Sequence, residues 1–501
     1  MMQKNLLAAA LSISVAAAFA VPAAARTPAP AASPNEAATA RHYAALIAGT
    51  PKTAELTLFF SQMPKGGDLH HHYSGAVYAE TYVDFLEKRG FCVDKRSYTI
   101  VTDKAAIDAD RAKPAAARTC LTTAEVYADD QTYRELLQRW SSKDFHNHGA
   151  DQPPPDRQFF STFGYFGPVA DSGNFHDGLV ELKERAVREN VAYIETMYKL
   201  APFVANADFD AKAWQNAEND AALDVQLRGW MTALDQDAKF TANLADFVAA
   251  IDKEAAGIDD ERFTMRYQLY VLRLLNPSQV FSSMVSAFKA AHRGGKIVGV
   301  NIVGQESRMV PMRDYTLHMK MFRFLKKVYP DVKVAMHAGE LALGDVRPED
   351  LQYHIDQALN IAGANRIGHG IDLAHETNAP ALMKAMRAKD IPVEINLTSN
   401  AFISGIEGEN HPVTLYRKYG VPYVISTDDA GVTRHTLSNE YVLFASRYKP
   451  SYAEIKKTAY DSIRYSFLDK DGKARLARQL DARFAKFEAD MAALERSSAK
   501  R

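Results

Sequence analysis

Cysteine is nearly absent from this sequence, since Cys92 and Cys120 are the only two among 501 residues. So few cysteines exclude a disulfide-dense scaffold and a zinc site ligated by paired Cys-x-x-Cys motifs. In an exported protein, two cysteines 28 positions apart can form one disulfide. Such a bridge would add on the order of 3–4 kcal/mol to stability in the loop-entropy account. Two free thiols are the alternative.

An excess of charge of one sign is also missing. The chain has 60 basic and 61 acidic residues, for a net charge of −1, so nothing indicates a nucleic-acid or polyanion partner. No run of 18 apolar residues follows the N-terminal segment, so no further membrane-spanning helix is predicted. With 47% hydrophobic and 24% charged residues, the chain can bury a large core.

The N-terminus has the pattern of a secretory leader. Lys4 supplies positive charge, Leu6–Ala20 is the apolar segment, and Ala23–Ala25 is a small-residue cleavage site. We expect residues 1–25 to be removed and the soluble protein to be exported to a periplasmic or extracellular site. Residues 26–62 are predicted to contain a mobile Pro/Ala-rich linker, Arg26–Pro34, and two helices, Glu36–Ala48 and Ala54–Met63.

Strand-like and helical segments alternate through the rest of the chain, which predicts a (β/α)8 barrel over residues 63–501. The eight predicted strands are Gly67–Tyr73, Val191–Met197, Arg262–Val271, Ile297–Val303, Lys333–His337, Arg366–His369, Pro392–Asn396 and Tyr423–Ser426. The predicted helices are Tyr78–Arg89, Phe175–Asn190, Pro277–Arg293, Tyr315–Tyr329, Glu349–Ala362, Ala379–Ala388 and Val413–Tyr419, followed by a helical, charged segment from Asn439. The segment Phe91–Arg157 interrupts this alternation and is interpreted as an insertion. An open doubly wound sheet is the alternative, but it needs a Gly-rich phosphate turn after an early strand, and none is present.

Three consecutive histidines, His70, His71 and His72, lie in the first predicted strand. Side chains alternate along a strand, so His70 and His72 point the same way, about 6.6 Å apart, and can converge on one ion. His71 then faces outward from the barrel. A solvated histidine run or a fragment of an affinity tag is the alternative.

Active sites of such barrels lie at the carboxyl ends of the strands. Those ends carry the further groups Gly304-Gln305-Glu306, His337 with Glu340, His369, Asn396–Asn400, and Asp428-Asp429. Taken singly, each of these groups also has a purely structural interpretation. Gly-His-Gly can form a turn, the Asp pair can cap a helix, and Glu340 can be a solvated loop residue.

Together these residue types fit metal-assisted hydrolysis. His70, His72 and His337 offer nitrogen donors and Asp428 offers an oxygen, a set that suits one Zn²⁺, with Fe or Co as alternatives. A water completing the shell would have its pKa lowered from 15.7 towards about 7. Glu340 lies three residues beyond the ligand His337, close enough to act on substrate or water as a proton donor or acceptor. His369 is not needed as a ligand once the shell is filled, and it is better placed to orient the attacking water and stabilise developing charge.

Five ordered motifs resemble the adenosine/AMP deaminase family of the amidohydrolases. They are MPKGGDLHHHYSGA, VGVNIVGQE, HAGE, RIGHGI and STDDAG, and with LSNEYVL they cover Met63 to Leu443. The branch that they resemble most is that of secreted adenosine deaminases related to adenosine deaminase growth factors. That branch also has an N-terminal helical extension and a disulfide-bearing insertion after the first strand and helix.

The resemblance implies a role for each matching residue. His70, His72, His337 and Asp428 would bind zinc; Glu340, His369 and Asp428 would be catalytic; His72, Gly304 and Asp429 would contact the substrate. Glu340 would protonate N1 of the purine as hydroxide attacks C6, His369 would orient that hydroxide, and Asp428 would take the water's proton. Asp429 would form a hydrogen bond with N7, and the backbone of Gly304 would contact N3. Adenosine, and by extension 2′-deoxyadenosine, would become inosine, or its deoxy form, and ammonia.

Two positions depart from the family pattern. Ser74 stands where short cytosolic adenosine deaminases have an aspartate that holds the ribose, and Ala430 replaces a proline common after the Asp pair. The sugar contacts and the natural substrate therefore stay open, as does the oligomeric state, a homodimer included. The alternatives are a related hydrolase acting on adenine or a modified adenosine, and a catalytically silent binding protein. An unbroken ligand set argues against the last.

Overall fold

The computed structural model describes residues 32–147, 152–170 and 175–498. The predicted leader, residues 1–25, and most of the predicted linker Arg26–Pro34 lie outside the described residues. Within those three ranges, no helix combines the length and the apolar character that crossing a membrane requires.

The described residues contain eleven strands. In chain order they are β1 (Lys65–His72), β2 (Cys92–Asp94), β3 (Ile100–Val101), β4 (Cys120–Leu121), β5 (Val191–Leu200), β6 (Thr264–Leu272), β7 (Ile297–Val303), β8 (Ala335–Ala338), β9 (Arg366–His369), β10 (Val393–Ile395) and β11 (Tyr423–Ile425).

Eight of these strands close into a barrel. β1, β5, β6 and β7 form one parallel sheet, and β8, β9, β10 and β11 form a second. Isolated parallel bridges join the two sheets at both seams, between His71 and Asp428 and between Val300 and Val334. The predicted (β/α)8 barrel is thereby confirmed, and all eight predicted strands are present with ends shifted by at most three residues.

Twenty-two α-helices surround and extend the barrel within the described residues. Those up to the fifth strand are α1 (Pro34–Ile47), α2 (Thr53–Gln62), α3 (Tyr73–Ala76), α4 (Ala79–Arg89), α5 (Lys104–Arg111), α6 (Thr123–Ala128), α7 (Asp130–Trp140), α8 (Pro155–Ala170) and α9 (His176–Arg188). The remainder are α10 (Ala207–Asn216), α11 (Asp220–Gln236), α12 (Ala238–Glu254), α13 (Pro277–Arg293), α14 (Met309–Val328), α15 (His354–Gln357), α16 (Ala379–Lys389), α17 (Leu397–Ser404), α18 (Val413–Tyr419), α19 (Ala430–Thr433), α20 (Leu437–Tyr448), α21 (Tyr452–Arg464) and α22 (Lys470–Ser498).

Two helical predictions differ from the structure. Helix α14 begins at Met309, six residues before the predicted Tyr315. Pro311 lies in the first turn of α14, where a proline removes only an N–H group that has no intrahelical partner. The predicted helix Glu349–Ala362 is divided into a 3-10 turn (Pro348–Leu351), α15 and a π-helical segment (Ala358–Ala362).

The segment Phe91–Arg157 contains a small antiparallel sheet in the order β3-β2-β4. Cys92 and Cys120 form a disulfide across it, with their Cα atoms 5.5 Å apart, which settles the choice between a bridge and free thiols. The chain then returns to the barrel through α8, whose aromatic side chains Phe159, Phe160 and Phe163 face the cavity described below.

Candidate metal centre and active site

Four predicted ligand residues converge at the carboxyl ends of β1, β8 and β11. Each of His70, His72, His337 and Asp428 offers one ligand atom, and these atoms all lie within 4.8 Å of one another. The Nε2 atoms of His72 and His337 are 3.2 Å apart. Asp428 Oδ1 lies 3.2 Å from His72 Nε2 and 3.5 Å from His70 Nε2.

The hydrogen bonds behind two of these imidazoles define which ring nitrogen carries the proton. His70 Nδ1 lies 2.6 Å from a carboxylate oxygen of Glu394, to which it donates. His337 Nδ1 lies 2.9 Å from Asn301 Oδ1, an oxygen that also accepts the backbone N–H of Ile302. Both rings therefore donate from Nδ1 and turn Nε2 to the centre, the orientation of metal-ligating histidines.

The centre also has the electrostatics of a cation site. Burial alone would lower the pKa of His70, but the carboxylates of Asp428 and Glu394 outweigh it and raise that pKa to about 10. Burial would raise the pKa of Asp428, yet the neighbouring imidazoles of His70 and His72 hold it well below its ordinary value. His70 Nε2 is buried without a hydrogen-bond partner in the described part of the chain. The donor set therefore fits a divalent cation, whose binding would displace a proton.

A chain of buried polar side chains inside the barrel connects His70 to His337. Its members, called here the interior network, are Glu394, Arg366, Glu195, Gln268 and Asn301, and all five are at most 1% exposed. Arg366 donates to both carboxylates of the network, at 2.6 Å to Glu195. Gln268 then donates to Glu195, and Asn301 donates to Gln268, each at 2.9 Å.

The backbone places Asp428 in the left-handed region, with φ of 62°. Such a conformation costs of order 1–3 kcal/mol for a non-glycine residue and needs support from its surroundings. The Asp428 backbone N–H donates to His70 O at 2.7 Å, and Ser399 Oγ donates to Asp428 Oδ2 at 2.5 Å. Asp68 holds the preceding residue by accepting from Thr427 Oγ1 at 2.6 Å.

Glu340 and Glu306 are two buried carboxyl groups whose pKa values are pushed apart. Burial, with the charges of Asp428 and Glu306 added, raises the pKa of Glu340 well above its ordinary value. Burial would also raise the pKa of Glu306, but Arg273 and His354 outweigh it and lower that pKa to about 2. Glu306 also accepts the Glu340 backbone N–H at 2.9 Å and so holds the loop after β8. Opposed environments of this kind favour a proton-donating role for Glu340 and keep Glu306 as an anion.

His369 lies beside the ligand cluster and completes the predicted set. Its Nε2 is 3.7 Å from Glu340 Oε1 and 3.9 Å from Asp428 Oδ2, and no described side chain forms a hydrogen bond with it. Its Nδ1 faces the Asn400 amide nitrogen at 2.9 Å. Burial first, and then the positive charge at His70, lower the pKa of His369 to about 3, so the ring is neutral.

His72, His337, Glu340, His369 and Asp428 line one cavity of about 680 Å³. Asp429 lines it, and burial together with Asp428 raises the pKa of this carboxyl well above its ordinary value. A Cβ atom at position 75 would lie 1.5 Å from Asp429 Oδ1, so only glycine fits in the turn after Ser74. Ser74 and Gly304 line the same cavity.

His71 is turned away from the ligand cluster. Its Nδ1 lies 3.0 Å from Thr196 Oγ1 on the neighbouring strand, and its side chain is 2% exposed beneath α9. The register between β1 and β5 is irregular between Asp68 and His71, yet His70 and His72 still share the cavity side.

Sequence reasoning missed the residues that support these groups. Among them are the interior network, Arg273, His354, His411 and the aromatic residues of α8. One signal was available: Glu195, Arg366 and Glu394 are charged residues within strands that are otherwise apolar, and a buried charge needs a partner.

A family model described as Adenosine deaminase matches residues 180–483, more than half of the chain. That match includes His337, Glu340, His369 and Asp428. It does not include His70 or His72, which come close to those residues only in the folded chain. The adenosine deaminase of Clostridium botulinum is 27% identical over 199 residues, which are 38% of this chain and 55% of that protein. The chain thus spans about half the length of the first curated relatives that it matches.

Two solved structures are similar in fold. An apo structure of the N6-methyl-AMP deaminase from Arabidopsis thaliana has a TM-score of 0.53 and 18% identity, covering 85% of this chain and 98% of that one. An amidohydrolase from Burkholderia ambifaria, solved with bound Zn, has a TM-score of 0.51 and 17% identity, covering 87% of this chain and 94% of that one.

Proposed function

The chain belongs to the adenosine deaminase family, and on that premise we propose that it is a zinc-dependent hydrolase that converts adenosine, or 2′-deoxyadenosine, to inosine, or deoxyinosine, and ammonia. One observation carries the proposal. The ligand atoms of His70, His72, His337 and Asp428 lie within 4.8 Å of one another, and His72, His337 and Asp428 line a cavity together with Glu340, His369 and Asp429.

Zinc is the ion that this donor set favours. Three imidazole nitrogens and one carboxylate oxygen suit Zn²⁺, and the similar amidohydrolase with bound Zn is consistent with that choice. When bound, such an ion supplies Lewis acidity that lowers the pKa of water towards about 7.

Glu340 is assigned the role of proton donor. Its raised pKa favours the protonated carboxyl, which can protonate N1 of the purine while water adds to C6. Asp428 stays ionised and accepts the proton that the water loses. Delivery of that proton to the 6-amino group allows the C6–N bond to break and ammonia to leave, and the proton of the C6 hydroxyl returns to Glu340 as the C6 carbonyl forms.

Asp429, Gly304 and His72 are assigned to the purine ring. The raised pKa of Asp429 favours the protonated carboxyl, which can donate a hydrogen bond to the acceptor N7. His72 and Gly304 line the same cavity, which supports the ring contacts that the resemblance implies for them, the Gly304 backbone to N3 included.

The cavity is lined mostly by apolar side chains, among them Phe159, Phe160, Phe163 and Leu274, and Ser74 supplies a hydroxyl instead of a carboxylate. Arg308 lines the same cavity and would suit a phosphate. This arginine favours a second candidate function, the deamination of AMP or a modified AMP, the substrate class named for the Arabidopsis neighbour.

A substrate panel tests the assignment. Zinc-loaded protein is mixed with adenosine, 2′-deoxyadenosine, adenine, AMP and N6-methyl-AMP, and ammonia and the 6-oxopurine are quantified together. We expect the nucleosides to be turned over best. Preference for the nucleotides, removed by Arg308→Ala, would support the second candidate, and no turnover of any of the five would refute both.

We also propose that the protein is exported. The leader pattern of residues 1–25 supports this, and so does the Cys92–Cys120 disulfide, because disulfides persist in oxidising compartments. N-terminal sequencing of the protein recovered from its native host tests it. We expect the mature chain to start at Arg26, and an intact Met1 would contradict the proposal.

A further inference from the structure

We propose that Asn400 and His411 are positioning residues that fix the tautomer of His369, so that His369 presents an N–H hydrogen to the reacting oxygen and does not act as a base. The hydrogen bonds that fix this tautomer begin at a backbone amide, which can only donate. The tautomer itself does not depend on the proposed function, whereas its effect on turnover rests on that function.

The first link is the N–H group of Val413, which donates to His411 Nδ1 at 3.1 Å. A ring nitrogen that accepts a hydrogen bond carries no proton. His411 is fully buried, and that burial, with Arg447 nearby, lowers its pKa to about 3. The neutral ring must therefore carry its proton on Nε2.

The second link is the Asn400 side chain. His411 Nε2 lies 3.1 Å from Asn400 Oδ1 and donates to it, which defines the orientation of the amide. The amide nitrogen of Asn400 consequently points to His369 Nδ1, at 2.9 Å. The amide nitrogen of Asn396 lies 3.4 Å from the same ring atom. With amide donors directed at it, His369 Nδ1 is an acceptor.

The third link is His369 itself, which must then carry its proton on Nε2. This N–H points into the cavity, where no described group forms a hydrogen bond with it and the nearest carboxylate oxygens are 3.7 and 3.9 Å away. A neutral imidazole protonated at Nε2 cannot take a proton from water at that atom. It can stabilise negative charge on the attacking oxygen, which leaves the role of base to Asp428.

The rigid setting of Asn400 supports a positioning role. Asn400 lies on α17, and Glu440 holds the start of that helix by accepting the Leu397 N–H at 2.7 Å and the Thr398 N–H at 3.1 Å. His411 lies just before α18. Neither residue is among the four predicted metal ligands.

Nitrogen NMR of the zinc-loaded protein measures the tautomer directly. Protein labelled with ¹⁵N in its histidine rings is compared with the His369→Gln variant to assign the His369 signals. The pH is set about 2 units above the ordinary histidine pKa, so that neutral forms dominate. We expect a protonated Nε2 and an unprotonated Nδ1 in His369. A protonated Nδ1 would overturn the proposal without any reference to turnover.

Variants then connect the tautomer to turnover. Asn400→Asp keeps the shape but offers only acceptors, so it should move the His369 proton to Nδ1 and lower kcat by about 100-fold or more, with a much smaller change in KM. The matched control Asn410→Asp places the same charge on an exposed neighbour and should change neither quantity. An unchanged kcat in a folded Asn400→Asp protein would overturn the proposal.

A second pair of variants covers the case in which Asn400→Asp does not fold. His411→Leu removes the donor to Asn400 and should lower kcat, whereas His411→Gln can restore that donor and should recover most of the loss. Equal losses in both variants would contradict the positioning role. If the wild-type tautomer is the expected one but no purine is turned over, the proposed function fails and the tautomer assignment stands.

Discussion

At the residue scale, the site depends on the contrast between Glu340 and Glu306, two buried carboxyls whose pKa values move in opposite directions. Glu340 faces the cavity, and its raised pKa favours the protonated form, whereas Glu306 is ionised and holds the loop after β8. The sequence identifies Glu340 because it follows a predicted ligand by three positions. It does not reveal that Glu306 is paired with Arg273 and His354, because both partners come from other parts of the chain.

Replacing Glu340 by Gln removes the predicted proton donor and keeps the side-chain volume. We expect turnover to fall by about 10²–10⁴-fold while the bound metal stays near one ion per chain, since Glu340 is not among the four ligands. The exposed Glu349→Gln is the matched control and should retain full turnover. Steady-state kinetics and metal analysis measure both quantities, and a Glu340→Gln protein with normal turnover would remove Glu340 from this role.

His411 makes a separate prediction for stability against pH. Its pKa is about 3 in the folded protein against 6.5 ordinarily, so the unfolded chain binds more protons between these values. Stability therefore falls as the pH falls from 6.5 towards 3, and His411 contributes up to about 1.4 kcal/mol per pH unit to that slope. Denaturant unfolding should show a shallower slope in His411→Gln. The exposed His375→Gln should keep the wild-type slope, and equal slopes in all three proteins would contradict this account.

At the scale of elements, the apolar barrel strands were the most predictable part of the chain. Ile297–Val303 was predicted with its exact ends, because its run of apolar residues is buried on both faces. Helices α10–α12 were not predicted, although their apolar periodicity is no weaker than that of α1 and α2, which were. Helix α14 begins six residues before the predicted position, and the proline in its first turn is tolerated there.

The Cys92–Cys120 disulfide belongs to the small sheet β3-β2-β4, none of whose residues lines the cavity. Replacing both cysteines by serine should lower the free energy of unfolding by about 2–4 kcal/mol, because the bridge restricts the unfolded chain. It should leave kcat within about twofold of wild type, and denaturant unfolding and steady-state kinetics check the two halves. A variant with unchanged stability, or one that loses kcat while folded, would contradict this separation of roles.

At the scale of the whole molecule, the interior network ties strands from both sheets to the two ligands His70 and His337. Charged residues within apolar strands indicate that partners exist, but they do not identify them, because the hydrogen-bonded members lie on five different strands and are 28 to 171 residues apart in the chain. Arg366 is its central residue, at 1% exposure between the carboxylates of Glu195 and Glu394.

Arg366→Met keeps the length of the side chain and removes its charge, which leaves two buried carboxylates unpaired. We expect a loss of about 3–5 kcal/mol in the free energy of unfolding. Arg41→Met, which breaks the exposed pair with Glu495, is the control and should cost about 1 kcal/mol or less. Chemical denaturation measures both, and equal costs would show that the network does not support the fold.

The central claim is that this barrel removes an amino group from a purine by means of one bound metal ion. Titration of Zn²⁺ into metal-stripped protein, with adenosine turnover recorded at each addition, tests it most directly. We predict no turnover without metal, and a linear rise that ends at about one equivalent per chain. Turnover that survives complete removal of the metal, or no turnover of adenosine or any related purine at saturating zinc, would contradict the claim.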